Sequence, residues 1–315
     1  MIFSFFAAKK AEHKIATMCR VLEVSRSGYH AWTNRPPSPR ALEDARLTAR
    51  IGELFKLRRK VYGSPRIWSD LVLEDGERIS RKRVERLMRQ AGLSGLQEKK
   101  WRSTTVRVPG VRVADDLLDR DFAAEAPNRC WVADITYLRT WEGWLYLVAV
   151  QDLFSRRIVG WSMADHMRTE LVSDALQMAL AHRRPERGLI WHSDQGGQFV
   201  SLAFGQQARA AGIAQSMGSR GDCYDNAVAK SFFATLKKEL IHRRSWPTKA
   251  ELRTEVFDYI EVFYNRQRRH RTLGQISPAE FEKQHSELDG PGLAASPLAS
   301  LDKIKLTTST ASALA

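Results

Sequence analysis

The chain has 315 residues, 43% of them hydrophobic, with nine tryptophans, enough to bury one sizeable core and one or two small domains. Its formal net charge of +14 is uneven, since residues 1–100 carry 22 Lys and Arg against 11 Asp and Glu, which points to a polyanionic partner, nucleic acid ahead of membrane. Cys19, Cys130 and Cys223 lie far apart without paired histidines; this excludes a zinc module of the usual spacing, argues against a disulfide framework and suits a reducing cytoplasm.

The opening Met1–Ala8 is apolar, but it lacks a basic leader and is far shorter than the roughly 20 residues of a membrane span, so it reads as a short lead-in. Ile15, Ala16, Cys19 and Leu22 then recur at helical spacing. Val24–Tyr29 supplies a turn and a Ser cap before a short aromatic helix, making residues 1–37 a helix-turn-helix-like segment. Arg35–Pro39 predicts an exposed break.

Residues 41–98 predict a second helical unit of DNA-binding, helix-turn-helix character. Tyr62-Gly-Ser-Pro65 opens a helix with Pro in its first turn, Gly76 ends it, and Ser80 caps the next, Arg81–Ala91. There Val84, Leu87, Met88 and Ala91 form the apolar stripe, while Arg81, Lys82, Arg83, Arg86 and Arg89 take the remainder. A cationic helix after a tight turn suits a major groove or a phosphate track, because Arg pairs bidentately with guanine or phosphate. A solvated basic face is the plainer alternative.

Residues 99–127 lack sustained periodicity and form a linker. From Asn128 three strand-like runs follow, Trp131–Leu138, Leu145–Leu153 and Arg157–Met163. Then come a helix (Thr169–His182), a strand (Leu189–His192), a helix (Leu202–Ala211), a short strand (Ile213–Met217) and a longer helix from Asn226. This order describes an α/β domain with a mixed sheet. The tryptophans at 131, 141, 144, 161 and 191 read mostly as core. An amphipathic helix (Lys249–Tyr264), a basic run and Ser277–Phe281 complete a domain over 128–285. In the basic run Arg268, Arg269 and Arg271 are expected to contact DNA phosphates, with a helix-end charge cluster as the alternative. The Ser/Ala/Leu/Gly-rich residues 286–315 predict a disordered tail.

Two carboxylates stand out. Asp134 lies inside the first strand-like run, flanked by apolar residues, a position strands rarely give to Asp. Asp194 closely follows Leu189–His192, where a fourth strand would end beside the first. Neighbouring strands can thus present both to one hard cation such as Mg²⁺, which is usually held by one or two carboxylates plus water and phosphate. Two such ions about 3.5–4 Å apart would serve in-line phosphoryl transfer. Alone, either Asp suits a cap or a turn. His192 suits orienting the strand end more than acting as a base, and Gly196-Gly197 is too short for a phosphate loop.

The strings Trp131-Val-Ala-Asp-Ile-Thr-Tyr137, His192-Ser-Asp-Gln-Gly196 and Gly221-Asp-Cys-Tyr-Asp-Asn-Ala227 resemble transposases of the bacterial insertion-sequence-three family. So do Ser231-Phe-Phe-Ala-Thr-Leu-Lys-Lys-Glu-Leu240 and the Tyr264-Asn-Arg…Arg269-His-Arg…Leu273-Gly…Ser277-Pro278 segment. The resemblance runs from about residue 10 to 285. It implies a retroviral-integrase-like catalytic domain with an RNase H-like fold, preceded by all-α helix-turn-helix DNA-binding segments. It also implies the larger of two overlapping reading frames, often made as a frameshift fusion, with a small helix-turn-helix product of the same element as partner. Double-stranded DNA, as element ends and target, homo-oligomers on that DNA, no membrane, and a bacterial cytoplasm complete the expectation.

In that family the acidic set is Asp, Asp and Glu, and Asp134 and Asp194 match the first two positions. The third follows after a gap of 35 residues; residues 195 through 229 fill that gap, and the next is Lys230. Glu239 lies nine residues on, and nine steps of roughly 100° bring it to the opposite helix face. Asp222 and Asp225 precede the helix, where Asp225 reads as its N-cap. A protonated Lys brings donors and no acceptor, so it removes a metal ligand and repels the second ion of a two-Mg²⁺ site. Three functions follow as expectations. The first is a transposase that cuts and joins DNA, impaired at Lys230. The second is a catalytically dead protein that occupies element ends and dampens transposition. The third is a structure-specific RNase H-like nuclease.

Overall fold

The computed structural model describes residues 2–96, 124–194, 196–217 and 227–288. The linker at 99–123, Asp222, Cys223, Asp225 and residues 289–315 of the expected tail lie outside the described residues. The chain divides into two compact units, Met1–Gly95 and the remainder.

The first unit is all helical. The apolar lead-in forms α1 (Ile2–Lys9), because Phe6 is buried with Met18, Cys19 and Tyr29 of α2 (Ile15–Val21) and α3 (Arg26–Thr33). The Ser25 hydroxyl accepts from the Gly28 N–H at 3.0 Å, which is the predicted cap. Pro39 belongs to a helix, not a break. Ser38 caps α4 (Pro39–Leu57), where a proline in the first turn loses no hydrogen bond. α5 (Ser64–Leu73) ends before Gly76, whose φ of +69° favours glycine. Ser80 then caps α6 (Arg81–Gln90), where Val84, Leu87 and Met88 are buried as the stripe required, while Ala91 is its exposed C-cap. Arg58, which follows α4, is buried against Asp70 of α5 at 2.9 Å.

The second unit is built on a five-stranded sheet: β1 (Cys130–Thr140), β2 (Gly143–Asp152), β3 (Ile158–Ala164), β4 (Ile190–Ser193) and β5 (Ala214–Met217), in the order β3-β2-β1-β4-β5. β1 pairs antiparallel with β2 and β2 with β3, while β4 runs parallel to both β1 and β5. The parallel pairs need crossovers, supplied by α7 (Thr169–Arg183) and α8 (Leu202–Ala210). One face buries Trp131, Ala133, Val148 and Val150 against Leu171, Ala175, Leu176 and Phe204. The other carries Cys130, Val132 and Leu153 against Ala229 of α9 (Ala227–Glu239). Each large apolar side chain so buried contributes about 1.5–3 kcal/mol. Gly160 permits β3 to lie on α7, since a Cβ there would meet the Ala175 carbonyl oxygen and Ala179.

Of the five tryptophans expected in the core, Trp131 and Trp191 are fully buried and Trp161 is half-buried; Trp141 and Trp144 are exposed. The latter two flank the β1–β2 turn at Glu142-Gly143, where the hairpin carries its side chains outward. The helix expected over 249–264 is α10 (Lys249–Asp258) followed by a widened π turn, Tyr259–Tyr264. α11 (Pro278–Leu288) then docks through Glu282. Its carboxylate accepts from Arg183 at 2.7 and 2.9 Å, from Arg157 at 2.8 Å and from the Ser155 hydroxyl at 2.7 Å.

Candidate active site

Asp134 sits in the middle of β1, with Ala149 its partner on β2. β4 pairs with β1 only as far as Ser193 opposite Ala133, so Asp134 is the first β1 residue beyond the end of β4. Asp194 is the residue that follows β4. The two carboxylates therefore meet at the same edge, and both line one cleft of about 670 Å³ with Ile135, Tyr137, Trp144, Tyr146, Met167, Gly196, Gln198 and Phe199. Asp134 is 8% exposed, whereas Asp194 is open to solvent.

Burial pushes the Asp134 carboxyl up to about 6; the Ile135 N–H opposes this at 2.8 Å, Asp194 adds to it, and Lys230 and Lys237 oppose it. Asp194 is fixed by the Gly196 N–H, which donates to its Oδ1 at 3.0 Å. His192, buried at the end of β4, puts Nδ1 3.0 Å from the Ser216 hydroxyl of β5 and so ties two strands together. Lys230 is exposed on α9, close enough for its charge to act on Asp134.

Lys237 escaped the sequence reading. It is half-buried, its ammonium stands 5.3 Å from the centre of the Tyr137 ring, and burial lowers its pKa while Asp134 raises it. Seven residues after Lys230, it falls within about 20° of the same helix face. That spacing was the signal available in the sequence. Lys237 thus joins Asp134, Asp194 and the expected Lys230, so two lysines act on the carboxylate of Asp134.

Among the described residues no group of three or more His, Cys, Asp and Glu could hold a metal. The donor set of Asp134 and Asp194 is two hard oxygen ligands, which suits one Mg²⁺ completed by water and phosphate. Lys230 does not extend that set.

Family models for an integrase core domain match residues 124–223 and 230–285, and a model for an HTH-like domain matches residues 41–101. The chain is 40% identical over 287 residues to transposase InsF for insertion sequence IS3A of Escherichia coli (strain K12), spanning 90% of this chain and 99% of that one. The chain belongs to the insertion-sequence-three family of transposases. To the uncharacterized 31 kDa protein of insertion element IS600 from Shigella sonnei it is 41% identical over 271 residues, covering 86% of this chain and 99% of that one. Among solved structures it is similar to the HTLV-2 integrase catalytic core domain in complex with magnesium, with a TM-score of 0.38, 17% identity, and coverage of 50% of this chain and 98% of that chain.

The mixed sheet of this transposase, with helical segments before it, is the integrase-type α/β architecture its sequence implied. No described helix is long and apolar enough to cross a membrane. The residues expected on DNA divide into two groups. Arg81 and Arg89 of α6 are exposed, Arg89 pairing with Glu85 within its own helix. Arg83 and Arg86 turn back onto α4, where each donates to Asp44, at 2.8 and 2.7 Å. In the basic run the structure departs from expectation. Arg268 and Arg269 are buried; Arg268 is held by Glu239, and Arg269 donates to the Gln275 carbonyl at 2.7 Å. Arg266 and Arg271 of the same run are exposed. The family's Tyr-Asn pair is likewise structural. Asn265 both donates to and accepts from the Ile158 backbone at 2.9 Å, extending β3, and Gln151 donates to the Tyr264 hydroxyl at 2.9 Å.

Proposed function

We propose that this transposase binds the ends of its element and is built to cleave and join DNA strands in the bacterial cytoplasm, with that chemistry strongly impaired by Lys230. The observation that carries the reading is the meeting of Asp134 and Asp194 at one strand edge with Lys230 acting on Asp134. Asp134 and Asp194 would hold Mg²⁺, which when bound supplies charge neutralisation for in-line phosphoryl transfer. Asp134 keeps its oxygen in place through the Ile135 N–H, and Asp194 through the Gly196 N–H. Lys237 is positioned to meet a phosphate oxygen beside Asp134. Lys230 offers donors only, so the second ion of the family's pair loses its ligand and gains a repelling charge. Exposed Arg81 and Arg89, with Arg83 and Arg86 behind them, would grip the duplex, and copies of the chain would assemble on it.

Lys230 also favours a second reading, a protein that occupies element ends without cutting them and so dampens an active relative. Duplexes ending in the element's terminal repeats separate the two. Repeat-specific binding with slow Mg²⁺-dependent nicking supports the first. Equal binding with no nicking, together with inhibition of an active relative added to the same ends, supports the second. Cleavage directed by junction shape and indifferent to the repeats would instead favour a nuclease.

A further inference from the structure

Tyr137 is 59% exposed and Trp144 is 45% exposed, although both are large rings inside β-strands. They stand edge to face, with centroids 5.1 Å apart and planes at 86°. Cross-strand register explains the pairing: Tyr137 opposes Tyr146, and Arg139 opposes Trp144. The Arg139 guanidinium lies 5.9 Å from the Trp144 ring, and Lys237 covers Tyr137. Tyr137, Trp144 and Tyr146 line the same cleft as Asp134 and Asp194. An exposed cluster of this kind marks a contact surface, and flanking cations match it to a polyanion that also offers flat π faces.

We infer that this aromatic wall stacks unpaired bases of the DNA strand whose phosphate enters the acidic end of the cleft. The inference rests on the transposase reading above and adds to it the form of the substrate. A base inside a duplex shows these rings only its edge; a face-on contact requires nucleotides already out of the stack. The ends would therefore be bound with their last base pairs opened, and sequences that open easily would be preferred. A protein partner could also use exposed aromatics beside Arg. Sharing one cleft with the carboxylates favours the nucleotide.

The test uses the full chain and terminal-repeat duplexes, either fully paired or mismatched at the end, with the fluorescent base aminopurine among the mismatched nucleotides. Binding is the readout, so the result does not depend on Lys230. The expected result is tighter binding of the mismatched end and an aminopurine signal that changes on binding. Trp144→Ala and Tyr137→Ala should each weaken that binding about tenfold, within the range for one lost base–aromatic stack. Affinity for the fully paired duplex should hold, and Trp144→Phe and Tyr137→Phe should keep most of the preference. Alanine variants that bind the mismatched end like the native chain would overturn the inference. So would variants that lose both duplexes equally, or that change sedimentation mass while the preference persists, the signature of a protein interface. A native chain that binds repeats without preferring open ends sinks only the stacking. One that binds no repeat sinks the transposase reading as well.

Discussion

Arg268 and Glu239 form a buried pair, Nη2 to Oε1 at 2.8 Å, and the Tyr259 hydroxyl donates to the other carboxylate oxygen at 2.8 Å. Glu239 lies on the same helix as Lys230, and these contacts hold it against the π turn and the segment that follows. The pair explains two things together: why Glu239 does not complete the acidic site, and why a run of arginines that reads as a DNA contact is partly interior.

Removing one partner of a buried ion pair strands the other. Glu239→Gln and Arg268→Ala should each cost about 3–5 kcal/mol of unfolding free energy, measured by urea titration of the full chain. Divalent-cation binding by the folded Glu239→Gln protein should be unchanged. Loss of that binding without loss of stability would return Glu239 to the site.

Glu282 sets a pH dependence. Burial pushes its carboxyl up, but hydrogen bonds and charge from Arg183, with Ser155 and Arg157, hold the net value below the ordinary 4.5. A depressed folded pKa means stability that is present above 4.5 and lost as pH falls through the folded value. Asp152, raised chiefly by burial, works in the opposite direction, so the comparison must be made against the native chain. Glu282→Gln should be destabilised by about 2–3 kcal/mol at neutral pH, with the deficit shrinking in acid. A deficit independent of pH would show that packing of α11, not the ion network, is responsible.

On α6, Arg81 and Arg89 are free of α4, whereas Arg83 and Arg86 are drawn onto Asp44. Arg81→Ala or Arg89→Ala should weaken DNA binding similarly across sequences and reduce the slope of log affinity against log salt by about 1 each. Asp44→Ala, which releases two guanidinium groups, should strengthen binding. A salt slope untouched by all three substitutions would remove α6 from the DNA interface.

Local signals carried most of the fold. The apolar run around Asp134, the serines at 25 and 80, and Gly76 each act within a few residues, and each element they mark is present. What escaped was set by distant partners. α1 exists because Phe6 finds Tyr29, and Arg268 is buried because Glu239 stands 29 residues earlier. Trp144 is apolar by composition, yet the hairpin turn beside it leaves it on the surface. At the site, Asp134 and Asp194 were legible because strand ends bring them together. The wall of Tyr137 and Tyr146 needed the cross-strand register, which one sequence does not display.

Position 230 decides whether the cleft can hold the metal ions for strand cleavage. The direct measurement is the single-turnover rate of Mg²⁺-dependent cleavage at the terminal repeats, for the native chain and for Lys230→Glu at equal DNA occupancy. Restoring a metal ligand should return several kcal/mol of transition-state stabilisation, so the variant is expected to be at least about 100-fold faster. Equal rates, whether both fast or both absent, would contradict the assignment of Lys230 to the third acidic position.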